Sequence, residues 1–234
     1  MESHPPLTVV IPVLDEAPGI EAALAPLQAL RASGNEVIVV DGGSRDATRS
    51  LAAPHADRVI DAPRGRAAQM NAGAAAARGD VIVFLHADTV LPANASAAIL
   101  SGLERTARAW GRFDVTISGA DPLLVTVAFL MNARSRMSGI ATGDQAMFVR
   151  RAVFESAGGF PEIPLMEDIA LSKMLKRVSP PLCLAERVVT SGRRWEKHGT
   201  LRTILLMWRL RLAYALGADP RRLASRYDVH RTST

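Results

Sequence analysis

Three short runs of aliphatic and β-branched residues, Leu7–Val13, Glu36–Val40 and Val81–Leu85, each lead directly into an acidic turn, and stretches of helical spacing lie between them. Runs this short and apolar at nearly every position predict strands covered on both faces. Strands alternating with helices at this spacing predict right-handed crossovers and a mainly parallel sheet. In such sheets ligands gather beyond the carboxyl ends of the strands. Asp15-Glu16, Asp41 and Asp88 are therefore expected along one edge. A turn or a helix cap accounts for any one of these acids, but their equivalent placement points to a shared site.

The rest of the chain fills in the pattern. Ile20, Leu24, Leu27 and Leu30 share a helical face within Gly19–Ala32, where Pro26 is expected to interrupt the helix. Helices are also predicted over Asp46–Ala53, Ala67–Arg78 and Pro92–Ala107, and a short strand over Arg58–Asp61. Beyond these the pattern changes. Phe113, Val115 and Ile117 alternate within Arg112–Ile117, which predicts an antiparallel or edge strand. A helix over Pro122–Asn132, a strand over Gln145–Arg150, a helix over Glu167–Arg177 and a strand over Val188–Thr190 precede a long final helix, Leu201–Leu216. With no internal repeat or linker, the expectation is one α/β domain over residues 1–220 with a mixed, mainly parallel central sheet flanked by helices. Its nucleotide half spans about residues 7–110, its acceptor half about 111–200 and its C-terminal helix 201–216, and a polar tail occupies 221–234.

Composition narrows the function. With 48% hydrophobic and 22% charged residues the chain has an ordinary globular balance. The single cysteine, Cys183, excludes an internal disulfide framework and reads as a core residue. The net charge of +5 suits nucleic acid, anionic lipid or phosphorylated substrates. Aromatic residues make up only 5% and are not interleaved with the arginines, so no nucleic-acid partner is expected. The N-terminus lacks the basic region and cleavage site of a signal peptide, and no stretch reaches the roughly 18–20 apolar residues of a membrane span. A cytoplasmic location is expected, extending to the inner face of the membrane. Leu201–Leu216 is apolar nearly all round and its charges are all positive. It suits peripheral membrane contact or a homodimer interface, and equally a core helix with snorkelling arginines.

The loop Asp41-Gly42-Gly43-Ser44 lacks the spacing of a P-loop or dinucleotide fingerprint. It suits an acidic acceptor for ribose hydroxyls or base N–H groups, with the glycines permitting close approach. Arg64 and Arg66 flank Gly65 just before a helix start, an arrangement suited to an anion or a base carbonyl. Glu167-Asp168 opens a predicted helix, where it either complements the helix dipole or supplies a base.

Taken in order, Val9–Glu16, Val37–Val40 with Asp41–Ser44, Arg64–Gly73, Phe84–Thr89 and Met166-Glu167-Asp168 resemble the motifs of family 2 glycosyltransferases, over roughly residues 7 to 200. Asn71-Ala72-Gly73, Thr142–Gln145 and Ser191–Trp195 are similar to a small bacterial subgroup, the arsenosugar-biosynthesis-like glycosyltransferases. The resemblance implies the GT-A fold, a Rossmann-like nucleotide-diphospho-sugar transferase architecture. It also implies inverting transfer of a sugar from a UDP- or GDP-linked donor to a hydroxyl acceptor. Pro12, Leu14 and Glu16 would line the nucleotide pocket. Asp41 and Gly42 would meet the base or ribose, with Arg66 near the base. Ala87-Asp88 would stand for the Asp-X-Asp motif, Asp88 reaching Mg²⁺ or Mn²⁺ on the diphosphate. His86 replaces the first acid of that motif, and His198 is a further candidate ligand. Asp168 matches the base that takes the acceptor's proton, with Glu167 beside it. Gly143 and Asp144 would orient the acceptor, and Arg194 and Trp195 would offer the diphosphate a cation and a stacking surface. Two alternatives share the fold. A nucleotidyltransferase needs a glycine-rich, basic loop after the first strand, where this chain has the acidic segment Val13–Gly19. A catalytically silent nucleotide-sugar-binding protein is consistent with the missing first acid.

Overall fold

A computed structural model describes residues 4–232, less the side chains of Arg194, Arg226 and residues 228–232. The strands are β1 (Leu7–Val13), β2 (Glu36–Asp41), β3 (Arg58–Asp61), β4 (Val81–Phe84), β5 (Thr89–Val90), β6 (Trp110–Ser118), β7 (Met147–Arg150) and β8 (Leu182–Ser191). Among the described residues they form one sheet in the order β3-β2-β1-β4-β7-β6-β8-β5. The first half is parallel, with β1 between β2 and β4 and β3 outside β2. β7 then runs antiparallel between β4 and β6. β8 is parallel to β6, and the two-residue β5 pairs antiparallel with its outer edge. The expected nucleotide and acceptor halves therefore share a single mixed sheet.

The helices are α1 (Ile20–Leu24), α2 (Gln28–Ala32), α3 (Thr48–Ala52), α4 (Arg66–Ala76), α5 (Ala95–Thr106), α6 (Leu123–Ser138), α7 (Arg151–Ser156), α8 (Glu167–Leu175), α9 (Arg193–His198), α10 (Thr200–Ala215) and α11 (Pro220–Thr232). Pro26 breaks the first predicted helix as expected, because α1 and α2 are joined by a 3-10 turn that contains it. Alternate residues of each central strand enter opposite cores. Val9, Ile11, Val37 and Val39 join residues of α1, α5 and α6 on one face. Val10, Ile38 and Val40 join α4, α7 and α8 on the other. This two-sided burial is why these strands are apolar throughout.

A buried carboxylate locks the amino ends of the parallel strands. Thr8 Oγ1 donates to Glu36 Oε2 (2.7 Å), and Arg78 donates its backbone N–H and Nε–H to the same carboxylate (2.9 Å each). Gly79 N–H in turn donates to Thr8 Oγ1 (2.9 Å).

Four expectations need correction. β6 has one of the two expected arrangements, antiparallel to β7, but it is an interior strand that also runs parallel to β8 and is not an edge. Its alternate polar residues Arg112 and Asp114 are buried and paired, and Arg136 Nη2 bonds Asp114 Oδ2 at 2.8 Å. β8 spans ten residues, and its register with β6 slips between Phe113 and Asp114, where Ala185 and Glu186 form a bulge. α6 continues past Asn132 to Ser138. The expected polar tail contains α11.

Candidate active site

The loops after β1 and β2 are stitched into one surface. Gly42 N–H donates to Val13 O (3.0 Å), and Gln69 Nε2 on α4 donates to both Val13 O and Val40 O (2.8 Å each). The β1 loop hangs on side chains of the β2 loop. Asp15 N–H donates to Ser44 Oγ (2.9 Å), Glu16 N–H to Thr48 Oγ1 (2.8 Å) and Ala17 N–H to Asp46 Oδ2 (3.1 Å). Asp15 itself takes a positive φ of 53°, and its Oδ1 accepts from Arg45 N–H at 2.8 Å. Pro12 and Leu14 are half-buried on this surface and Glu16 is exposed. Asp41 is only 1% exposed. Its Oδ2 accepts from Gly43 N–H (3.1 Å) and Ser44 N–H (3.0 Å), and Ser44 Oγ donates to its Oδ1. The partners of Asp41 are thus its own loop, and it shapes the surface beside Gly42 from within.

A second group gathers around a small cavity lined by Arg66, Met70, Phe84, His86, Gly143, Met147, Phe160, Glu167 and Asp168. Asp168 is half-buried in the first turn of α8. Gly143 N–H donates to its Oδ2 at 2.9 Å and Ile169 N–H to its Oδ1 at 2.7 Å. The turn ahead of α8 is strained, since Met166 adopts φ 70°. Gly143 lies flat against His86, because a Cβ there would stand 2.4 Å from the imidazole. The other side of that ring approaches Asp144, with Nδ1 3.6 Å from Oδ1. Glu167 is buried, and Arg66 Nη1 lies 3.6 Å from its Oε1. Burial, and then the charge of Asp168, push the Glu167 carboxyl above its ordinary range, while Arg66 pulls it back. The cavity therefore holds one carboxylate with both oxygens fixed, a second carboxyl biased toward its protonated form, and a guanidinium at its mouth.

Asp88 is exposed at the end of β4, with Thr89 Oγ1 donating to its Oδ1 at 3.3 Å. Ser191 N–H donates to its backbone oxygen (3.1 Å), which ties this turn to the segment entering α9. Trp195 on α9 is half-buried and packs on the core, and His198 closes that helix. The Arg194 side chain lies outside the described residues. Among the described residues no three His, Cys, Asp or Glu side chains stand together as a metal site. The exposed Asp88 carboxylate fits a cation whose remaining ligands come from a bound diphosphate and water.

Sequence reasoning missed a basic group near Asp168. Nε and Nη2 of Arg134 on α6 are buried without hydrogen-bond partners, while its Nη1 reaches Ile140 O at 3.3 Å. Burial, then the charge of Arg211, lower its pKa to about 10, and the charge of Asp168 opposes them. Burial and Asp168 also raise Tyr214 on α10. The predicted helix stopped at Asn132, short of Arg134, and only its apolar context could have flagged that arginine. A roomier hollow of ≈ 510 Å³, lined in part by Arg49, Arg58 and Val59, lies at the start of β3, away from the loops that carry the acids.

The chain is similar to known proteins over most of this framework. The family model described as Glycosyl transferase family 2 matches residues 8–155, more than half of the chain. A Mycobacterium tuberculosis protein named as an uncharacterized glycosyltransferase is 32% identical over 102 residues, covering 43% of this chain and 45% of that protein. The chain thus matches less than half the length of this curated relative. Among solved structures, Staphylococcus aureus TarS with UDP-GlcNAc superposes with a TM-score of 0.64 at 16% identity, covering 79% of this chain and 58% of that one. A mannosyltransferase of Pyrobaculum calidifontis with GDP-Man and Mn²⁺ gives 0.61 at 22% identity, covering 90% and 61%. Glucosyl-3-phosphoglycerate synthase of Mycobacterium tuberculosis, with Mn²⁺, UDP and its glucosylated product, gives 0.55 at 20% identity, covering 79% and 70%.

Proposed function

The chain belongs to glycosyl transferase family 2 and has the GT-A fold, and we propose that it moves a sugar, with inversion, from a nucleotide-diphosphate donor to a hydroxyl acceptor. The observation that carries this reading is the setting of Asp168. Its oxygens are fixed by the N–H groups of Gly143 and Ile169, on the shared cavity with His86 and Arg66. Each fixed oxygen keeps lone-pair capacity for an incoming hydroxyl. In the proposed step the acceptor oxygen bonds to the anomeric carbon as its proton passes to Asp168. The bond from that carbon to the diphosphate oxygen breaks, and its electron pair leaves with the nucleoside diphosphate. One base suffices, because the leaving group departs as an anion.

Pro12, Leu14, Glu16 and Gly42 form the surface assigned to the nucleotide, with the buried Asp41 beneath it and Arg66 at its margin. A UDP- or GDP-linked donor is consistent with the nucleotides held by the structural relatives. Ala87-Asp88 is assigned to the diphosphate, with Asp88 and His198 the proposed ligands of Mg²⁺ or Mn²⁺. Such a cation neutralises the charge that develops on the leaving diphosphate. Gly143, Asp144, Arg194 and Trp195 are assigned to the acceptor and the diphosphate, and Glu167 supports the base. The lone carboxylate Asp88, preceded by His86, also favours a second reading, in which donor binds without turnover.

A panel of nucleotide sugars with Mn²⁺ separates these readings. The wild type is expected to release nucleoside diphosphate, and Asp168→Asn to lose about 10²–10⁴-fold in rate while donor still raises its melting temperature. A full rate in that variant would remove Asp168 from the mechanism. Donor binding with no turnover in the wild type would favour the silent binder, and no binding of any nucleotide sugar would reject both readings.

A further inference from the structure

Two helices turn large apolar side chains outward. On α10, Leu205, Trp208 and Leu212 recur at helical spacing and are 65%, 69% and 62% exposed. On α6, Val125, Phe129 and Met137 are 75%, 68% and 89% exposed. The two helices meet at their amino ends. Thr200 Oγ1 at the start of α10 donates to Asp121 Oδ2 just before α6, and Ile204 packs on the core that takes in Leu124 and Val127. Patches of this kind on a folded chain mark interaction surfaces.

Charge selects the occupant. Neither helix contains an Asp or Glu, and Arg136, Arg202 and Arg209 are exposed. Arg136 is already bonded to Asp114, which leaves Arg202 and Arg209 as outward cations on α10. A second copy packed about a two-fold axis would set the same basic surface against itself. An anionic lipid surface supplies both hydrocarbon for the Trp, Phe and Leu side chains and negative headgroups for the arginines. No helix among the described residues is long and apolar enough to cross a membrane, so contact would be in the interfacial plane.

We propose that α6 and α10 together form a docking face for an anionic membrane.

The test is co-sedimentation of the full chain with vesicles of phosphatidylcholine alone or mixed with phosphatidylglycerol. Two exposed arginines predict roughly thirtyfold tighter binding to the anionic vesicles, lost at high salt. Trp208→Ser with Leu212→Ser should abolish binding to both, with circular dichroism confirming the fold. Arg202→Gln with Arg209→Gln should remove only the anionic preference, which keeps the test decisive if the first pair misfolds. A wild type that stays in the supernatant with anionic vesicles overturns the proposal. So does a dimer, seen by light scattering, that Trp208→Ser dissociates and that ignores vesicles.

Discussion

Glu167 and Asp168 are adjacent carboxyls in opposed surroundings. Asp168 reaches the cavity with two backbone donors on its oxygens, whereas Glu167 is 4% exposed beside Arg66. Burial and the neighbouring charge of Asp168 raise the Glu167 pKa above its ordinary 4.5. Between that value and the raised one, the folded chain keeps a proton that the unfolded chain has released. The stabilising contribution of this group is complete below the ordinary value and is lost as pH rises through the raised one. Glu167→Gln removes the titration, so its stability should fall less than that of the wild type between about pH 5 and pH 8. Denaturant melts at the two pH values check this, and parallel curves for both proteins would refute the assignment. Arg66 acts in the opposite sense, since its charge favours the ionised form.

At the scale of elements, α4 shows how a glycine sets a layer spacing. A Cβ on Gly73 would lie 2.3 Å from Val10 Cγ1 and 2.9 Å from Val40 Cγ2, so the helix rests on β1 and β2 where a side chain is missing. The same helix places Gln69 on the ends of both strands. Asn71 holds the turn at Phe160, donating from Nδ2 to Phe160 O and accepting Phe160 N–H at Oδ1 (2.9 Å each). Gly73→Ala forces helix and sheet apart and should cost about 1–3 kcal/mol. For a chain of this size that lowers the melting temperature by about 2–12 °C, and an unchanged melting temperature would show that the layer is not tight here. Elements of this kind were legible in sequence because β1, β2, β4 and α4 obey local rules of period and turn chemistry. The interior place of β6 and the extent of β8 were not, since the buried Arg112 is paired with Asp114, which also takes Arg136 from α6, and the bulge at Ala185-Glu186 hides the length of β8. The acids of the candidate site follow strands or open a helix and were visible for that reason. Arg134 was not, because its place near Asp168 depends on where α6 and α10 pack.

For the molecule as a whole, the sheet order puts β4 at the junction, with the parallel strands on one side and the mixed strands on the other. Asp88 leaves the end of β4, and its backbone is held by Ser191 from the far half. A nucleoside diphosphate bound there would contact elements of both halves and would recognise only the folded state. Ligand at about a hundred times its Kd adds roughly 2.7 kcal/mol of stability, a rise of about 5–11 °C in melting temperature for a chain of this size. Asp88 is the carboxylate assigned to the cation, and no third acidic or histidine ligand joins it among the described residues. Most of the stabilisation by UDP or GDP should therefore require Mn²⁺. Chelation with EDTA should reduce it sharply in the wild type. Asp88→Asn should show the chelated behaviour even with Mn²⁺ present, while Asp168→Asn keeps the full rise. The measurement is a thermal melt of the three proteins with nucleotide, with and without metal. Equal rises in Mn²⁺ and EDTA would mean that the arginines, and not a cation at Asp88, hold the diphosphate.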